Sequence, residues 1–305
     1  MPTRLLQTWS ADELMGKPGD ERIIKLRPSD RRPPQIQQAS ENLPKLDAPR
    51  LDSIRRVRPS NDKKWVALTF DLCEQADDKT GYDRNIVNFL RDHQIQASFF
   101  AGGKWMRSHE DKTLQLMADT RFEIGNHGWT HGNLHVLKGQ KMLEQIVWTQ
   151  AEYERIWGIL NSRAKQFGLE QDMHGVPRQP RVMRFPYGTC SVEALHTTNE
   201  LGLSAIQWDV VSGDTSRKLS PETLARNVIN QVRPGSIVVF HANARGIHTA
   251  AALPIIVHAL QEKGFSFLTV SRLLEQGVPE SAKECYELQP GDNLRYDTLF
   301  GEGTE

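Results

Sequence analysis

The chain has 305 residues, enough for one large α/β domain or two small ones around a sizeable core. Lysine plus arginine and aspartate plus glutamate number 38 each, so no net field draws the protein to nucleic acid or to an anionic membrane surface, and no nucleic-acid partner is expected. An apolar fraction of 38% is ordinary for a soluble protein, and no window reaches the roughly 18 apolar residues that a membrane span requires, so no transmembrane segment is expected.

The opening stretch "MPTRLLQTWSADELMG" lacks the apolar segment of a secretory signal. Residues 1–62 are rich in proline and charge without a sustained period of 2 or 3.6, which predicts an irregular arm that wraps the domain, or a linker. Over residues 63–276 seven short apolar runs follow: "WVALTFD", "QASFFAG", "RFEIGNHG", "RVMRFPYG", "SAIQWDV", "GSIVVFHA" and "FSFLTV". They alternate with segments of helical period such as "YDRNIVNFLRDH" and "SPETLARNVINQV", the latter opening on a capping serine and a first-turn proline. Strands separated by helices predict a parallel sheet with crossover helices. Residues 277–305 read as a tail packing on that unit.

The polar residues fall at the ends of these runs. Asp71 ends the first, His127 the third, Arg184 lies in the fourth with Tyr187 at its end, Asp214 follows the fifth, and His241 ends the sixth. In parallel α/β folds the C-terminal strand ends and the loops after them form the site, so these side chains are expected on one face. In "NHGWTH" the imidazoles of His127 and His131 stand four apart, a spacing that suits one divalent ion, and the loop opens between Gly125 and Gly128, which let the chain turn tightly. In "RFPYG" Arg184 can pair with a carboxylate, while the proline holds a main-chain N–H rigid at Tyr187, as an oxyanion requires. His241 could keep its proton with a partner such as Asp214. Taken singly, each motif also suits a plain structural role: surface or capping histidines, a strand arginine with a turn proline, a satisfied core histidine. The chain has no GxSxG elbow, no Walker loop and no GxGxxG after a strand.

The ordered set "TFD", "HGWTH", "RFPYG", "WDVVSGD" and "IVVFH", followed by "GFSFLTVSRLLE", resembles the polysaccharide deacetylase family, the NodB homology group of the fourth carbohydrate esterase family, over roughly residues 64–275. The resemblance implies a distorted (β/α) barrel with about seven parallel strands. It also implies removal of an acetyl group from an N-acetylated polysaccharide by water activated on a divalent metal, zinc being the expected ion. By position Asp71 resembles the catalytic base, and His127 and His131 the metal histidines. Arg184 resembles the arginine orienting the base, Tyr187 the residue whose N–H faces the oxyanion, and Asp214 the carboxylate tuning His241, the general acid.

The chain departs from that pattern where the family carries two adjacent aspartates, the second a metal ligand. Here the sequence reads "TFDLCE", and Leu72 cannot bind a metal. The third ligand is left among Asp71, Glu74 and Cys73, or to waters and substrate, with a carboxylate of the 71–74 turn the favoured choice. Thr215 stands where the family often has tryptophan, and the helical stretch from Lys141 to Lys165 is longer than compact members need. Its apolar positions, Leu143, Ile146, Val147, Tyr153, Ile156 and Trp157, are expected to face the core, and "GLEQDMHGVPRQP" could shape a substrate groove. Three cysteines are too few for a disulfide framework, yet Cys73 and Cys190 each follow a motif and are expected at one site mouth, within or near disulfide distance, unless they are two unrelated buried thiols. The expected function is N-deacetylation of peptidoglycan or another envelope polysaccharide, which places the protein in the periplasm or outside the cell. A same-fold amidohydrolase on a small non-sugar amide and a catalytically silent glycan-binding member are the alternatives.

Overall fold

The computed structural model describes residues 4–47 and 50–303. Strands lie at β1 Ile24–Lys25, β2 Ser53–Pro59, β3 Lys64–Leu72, β4 Asp78–Lys79, β5 Ala97–Ala101, β6 Phe122–Asn126, β7 Val182–Met183, β8 Ser204–Ala205, β9 Val210–Val211, β10 Ser236–His241, β11 Phe265–Phe267 and β12 Gly277–Ala282. Helices lie at α1 Ala11–Met15, α2 Arg84–Asp92, α3 Gly103–Ser108, α4 Glu110–Ala118, α5 Gly139–Gln166, α6 Val192–Glu200, α7 Pro221–Gln231, α8 Thr249–Glu262, α9 Val270–Leu274 and α10 Arg295–Phe300.

The apolar run of β3 is buried on both faces because it lies between β10 and β5, with parallel neighbours on each side. Phe70 stacks on Phe99 and Phe240, each centroid 5.4 Å away, so strands β3, β5 and β10 share one aromatic layer. Parallel pairing continues from β5 through β6 and β7 to β8, and β11 joins the N-terminal half of β3. The chain after β8 then crosses back: Ile206 bridges Ile54 and β9 pairs with β10, which curls the sheet into a distorted barrel. All seven expected strands are present, although β7 and β8 are only two residues each. Helix α7 begins as its sequence predicts, with the Ser220 hydroxyl accepting the Thr223 N–H and Pro221 in the first turn.

Two antiparallel strands of the main sheet, β2 and β12, lie outside residues 63–276. β2 belongs to the stretch read as an irregular arm, yet it pairs with β10 and with β12 of the tail. Its sequence SIRRVRP is too charged to read as an apolar run, but Ile54 and Val57 alternate with arginines and are fully buried. β12 carries Pro279 and a register shift, both suited to a sheet edge. The arm is also anchored further back: Leu5, Leu6 and Trp9 enter the main core, and Arg163 lies over the Trp9 ring at 4.1 Å. In α5, Ile146, Tyr153 and Ile156 face the core as expected, while Leu143, Val147 and Trp157 are half-buried.

Candidate active site

The site gathers at the C-terminal ends of the parallel strands. Asp71 lies near the end of β3, paired with Phe100 of β5 and His241 of β10. Its Oδ1 accepts a 2.8 Å bond from Nη1 of Arg184, which is wholly buried. The other guanidinium nitrogens donate to the carbonyls of Ile206 and Gln207, and the plane lies 4.1 Å from the Phe100 centroid. A buried arginine so held fixes the carboxylate and leaves Oδ2 directed at the site, 3.8 Å from His127 Nε2.

His127 follows β6, where Gly125 is required because a Cβ there would sit 2.6 Å from Phe100. Its Nδ1 meets the Arg184 carbonyl at 2.9 Å, which assigns a proton to Nδ1 and leaves Nε2 buried without a hydrogen-bond partner. Gly128 at φ 74° and His131 at φ 57° turn the loop so that the two imidazoles stand 4.9 Å apart, edge to face. Helix α5 braces this loop: Gln145 Oε1 accepts the N–H groups of Thr130 and Gly132, and Gln145 Nε2 donates to the Thr130 hydroxyl. Asn126 is tied to the same helix through the Ile146 carbonyl and Gln150.

Cys73 is buried one residue beyond β3. One ligand atom each from Cys73, His127 and His131 lie within 4.8 Å of one another, the one such donor group found among the described residues. Burial pushes the thiol pKa up, but the imidazoles beside it, His131 foremost and then His127 and His241, override that and hold it well below its ordinary value. Glu74, weighed as a ligand, is spent elsewhere: its carboxylate takes Lys104 at 2.8 Å, the Ser108 hydroxyl and the Thr80 N–H. It anchors the turn from beneath, where a buried lysine requires a counter-charge.

On the far side of the cavity His241 Nδ1 lies 3.0 Å from Asp214 Oδ1. Oδ2 of Asp214 accepts the His241 N–H and the Thr249 hydroxyl, each at 2.7 Å. Burial would lower the His241 pKa, but the Asp214 carboxylate reverses this and holds it well above the ordinary imidazole value. Tyr187, strained at φ 60°, packs edge-on against His131 at 4.4 Å, and its hydroxyl accepts from Gln75 at 2.8 Å. These groups line a cavity of about 290 Å³ whose outer wall includes Trp208, Arg245, Glu287, Tyr296 and Phe300.

The tail residues of that wall were not foreseen from the sequence, nor were Gln75, Asn126, Gln145 and Arg245. A run of buried polar side chains on an otherwise apolar helix face (Gln145, Thr149, Gln150) was the available signal for the brace. A Cys73–Cys190 disulfide does not form: Cys190 is bonded to Cys285, with a Cα separation of 5.4 Å, and Cys73 is free. Cys73 turns inward onto the imidazoles, whereas Cys190 faces the tail that crosses the mouth.

The profile of the family described as "Polysaccharide deacetylase" matches residues 58–167. A chitooligosaccharide deacetylase of Azorhizobium caulinodans is 30% identical over 193 residues, spanning 59% of this chain and 82% of the relative. This chain belongs to the polysaccharide deacetylase family. Its family fold is matched by a peptidoglycan deacetylase from Bacillus subtilis, 26% identical, with TM-score 0.55 over 70% of this chain and 91% of that one. A CE4 family pseudoenzyme from Bacillus anthracis shares the fold at 24% identity and TM-score 0.58, over 73% of this chain and 69% of the other.

Proposed function

We propose that the protein is a metal-dependent N-deacetylase of an N-acetylated glycan, with peptidoglycan or another envelope polysaccharide as substrate class. The reading rests on one observation: a carboxylate clamped by arginine, a histidine clamped by carboxylate, and His131 all border one cavity, with the buried His127 ring 4.9 Å from that of His131. A divalent ion held by His127 and His131, for which zinc suits the donor set, would polarise the acetamide carbonyl and acidify the attacking water. Asp71 then takes the water proton on Oδ2, the oxygen that Arg184 leaves free. His241, protonated because Asp214 holds Nδ1, gives a proton from Nε2 to the departing amine. The N–H of Tyr187 would donate to the carbonyl oxygen as charge builds there. The family relative acting on chitooligosaccharide and the fold neighbour acting on peptidoglycan supply the substrate class.

A binder would need neither proton-transfer pair, which disfavours the silent reading. The Cys190–Cys285 bond suits an oxidising compartment, in line with a periplasmic or secreted location. The test is acetate release from chitooligosaccharides and peptidoglycan by the zinc-loaded protein. Asp71→Asn is expected to lower kcat by about 10² to 10⁴ with an unchanged circular dichroism spectrum. Absence of acetate from any N-acetylated glycan would overturn the reading.

A further inference from the structure

We propose that Cys73 Sγ is the third metal ligand, so that one thiolate and two imidazoles hold the ion where the motif pattern leads one to expect a carboxylate. The inference rests on the metal-dependent reading above and deepens it.

Strand geometry carries the first step. Side chains two apart on an extended chain share a face, so Asp71 and Cys73 both turn to the site while Leu72, one residue on from the aspartate, enters the core. The second step is the fixing of Cys73: its carbonyl accepts the Thr80 hydroxyl and the Asn243 amide, each at 2.7 Å, so its backbone is pinned from two sides. Of the other two donors in the turn, Glu74 is bound to Lys104 beneath it, and Asp71, fixed through Oδ1 by Arg184, keeps Oδ2 for the water proton in the reading above. A separate observation points to a ligand: His127 Nε2 is buried without a hydrogen-bond partner, on a ring whose other nitrogen is already oriented by a backbone carbonyl. A backbone acceptor on one ring nitrogen with the other left without a partner is the arrangement metal-ligating histidines adopt. The chain's other two cysteines are joined to each other, which leaves Cys73 as the single free thiol.

A thiolate with two imidazoles is a borderline-soft set, suited to zinc or cobalt(II) and poorly suited to magnesium, calcium or manganese. Loading displaces the thiol proton. The fourth position stays open toward the cavity, which Cys73 and His131 both line.

The experiment uses the full chain with its disulfide intact, stripped by a chelator and titrated with cobalt(II). One equivalent is expected to bind and to produce a near-ultraviolet thiolate-to-cobalt charge-transfer band, and zinc is expected to protect the single free thiol from a thiol-specific reagent. Cys73→Ser should abolish the band and weaken cobalt binding at least tenfold, whereas Cys73→Asp should abolish the band and retain binding. One equivalent of cobalt without the band, or a Cys73→Ser variant with unchanged spectrum and affinity, overturns the proposal while leaving metal-dependent deacetylation standing. Failure of the wild type to bind either ion overturns the proposal, and if acetate release is also absent the underlying reading falls with it.

Discussion

Asp214 offers three acceptor contacts to two neighbours, the His241 ring, the His241 N–H and the Thr249 hydroxyl, and so fixes both the tautomer and the charge of His241. If His241 is the acid, as proposed, it must be protonated to act, and its raised pKa predicts a rate that holds at neutral pH and falls only as pH rises through that value. Asp214→Asn removes the charge that raises it. The alkaline limb of the kcat profile is therefore expected to move to lower pH, with kcat at pH 7.5 down by about 10²-fold, measured by acetate release across a pH series. This pair was readable in the sequence because both residues sit at predictable strand ends, as were Asp71, His127, His131 and Arg184. Cys73 was legible only as one of three candidate ligands, because comparing "TFDLCE" with the family pattern favours a carboxylate over the thiol. The period of two along β3, which sends Leu72 to the core and Cys73 to the site, was available in the sequence. The Cys190 partner could not be read at all, since it depends on where a tail of irregular sequence crosses the mouth.

At the level of elements, the strands that carry the site were legible because parallel pairing buries them as continuous apolar runs. β2 was not legible, because its buried Ile54 and Val57 are diluted by arginines that bond the tail carbonyls of Tyr286 and Glu287 and the carboxylate of Glu280. The long helix α5 was read as core packing, which holds for its apolar face, but its polar positions brace the histidine loop. Gln145 alone satisfies two loop N–H groups and the Thr130 hydroxyl. Removing it leaves buried donors unpaired at the turn that aims His131. Gln145→Leu is expected to preserve helix content while weakening zinc binding by about 10- to 100-fold, the range seen when groups behind metal ligands are lost, as isothermal titration of the stripped protein would measure.

Across the whole molecule, the two ends of the chain enclose the barrel rather than trail from it. The arm strand β2 lies between β10 and the tail strand β12, and beyond β12 the chain passes over the cavity mouth. There Cys285 is bonded to Cys190, Trp208 donates to the Glu287 carbonyl at 3.1 Å, and Asn293 donates to the Gly188 carbonyl. Phe300 stacks on Tyr187 at 4.7 Å, and the Asn133 N–H donates to the Glu302 carbonyl at 2.7 Å, so tail and motif loops form one wall. The wall touches the cavity through Glu287, Tyr296 and Phe300, none of which belongs to the proton-transfer pairs. Its loss should therefore weaken substrate binding more than chemistry. The disulfide closes a loop with sequence separation 95, for which the typical stabilisation is about 2–4 kcal/mol. The double variant Cys190→Ala, Cys285→Ala is expected to raise KM for a glycan severalfold with kcat nearly unchanged, and to speed protease cleavage within residues 283–303. Kinetics and limited proteolysis of the same preparation check both. A fall in kcat matching the rise in KM would instead make the tail part of the apparatus that positions Tyr187, whose ring it covers.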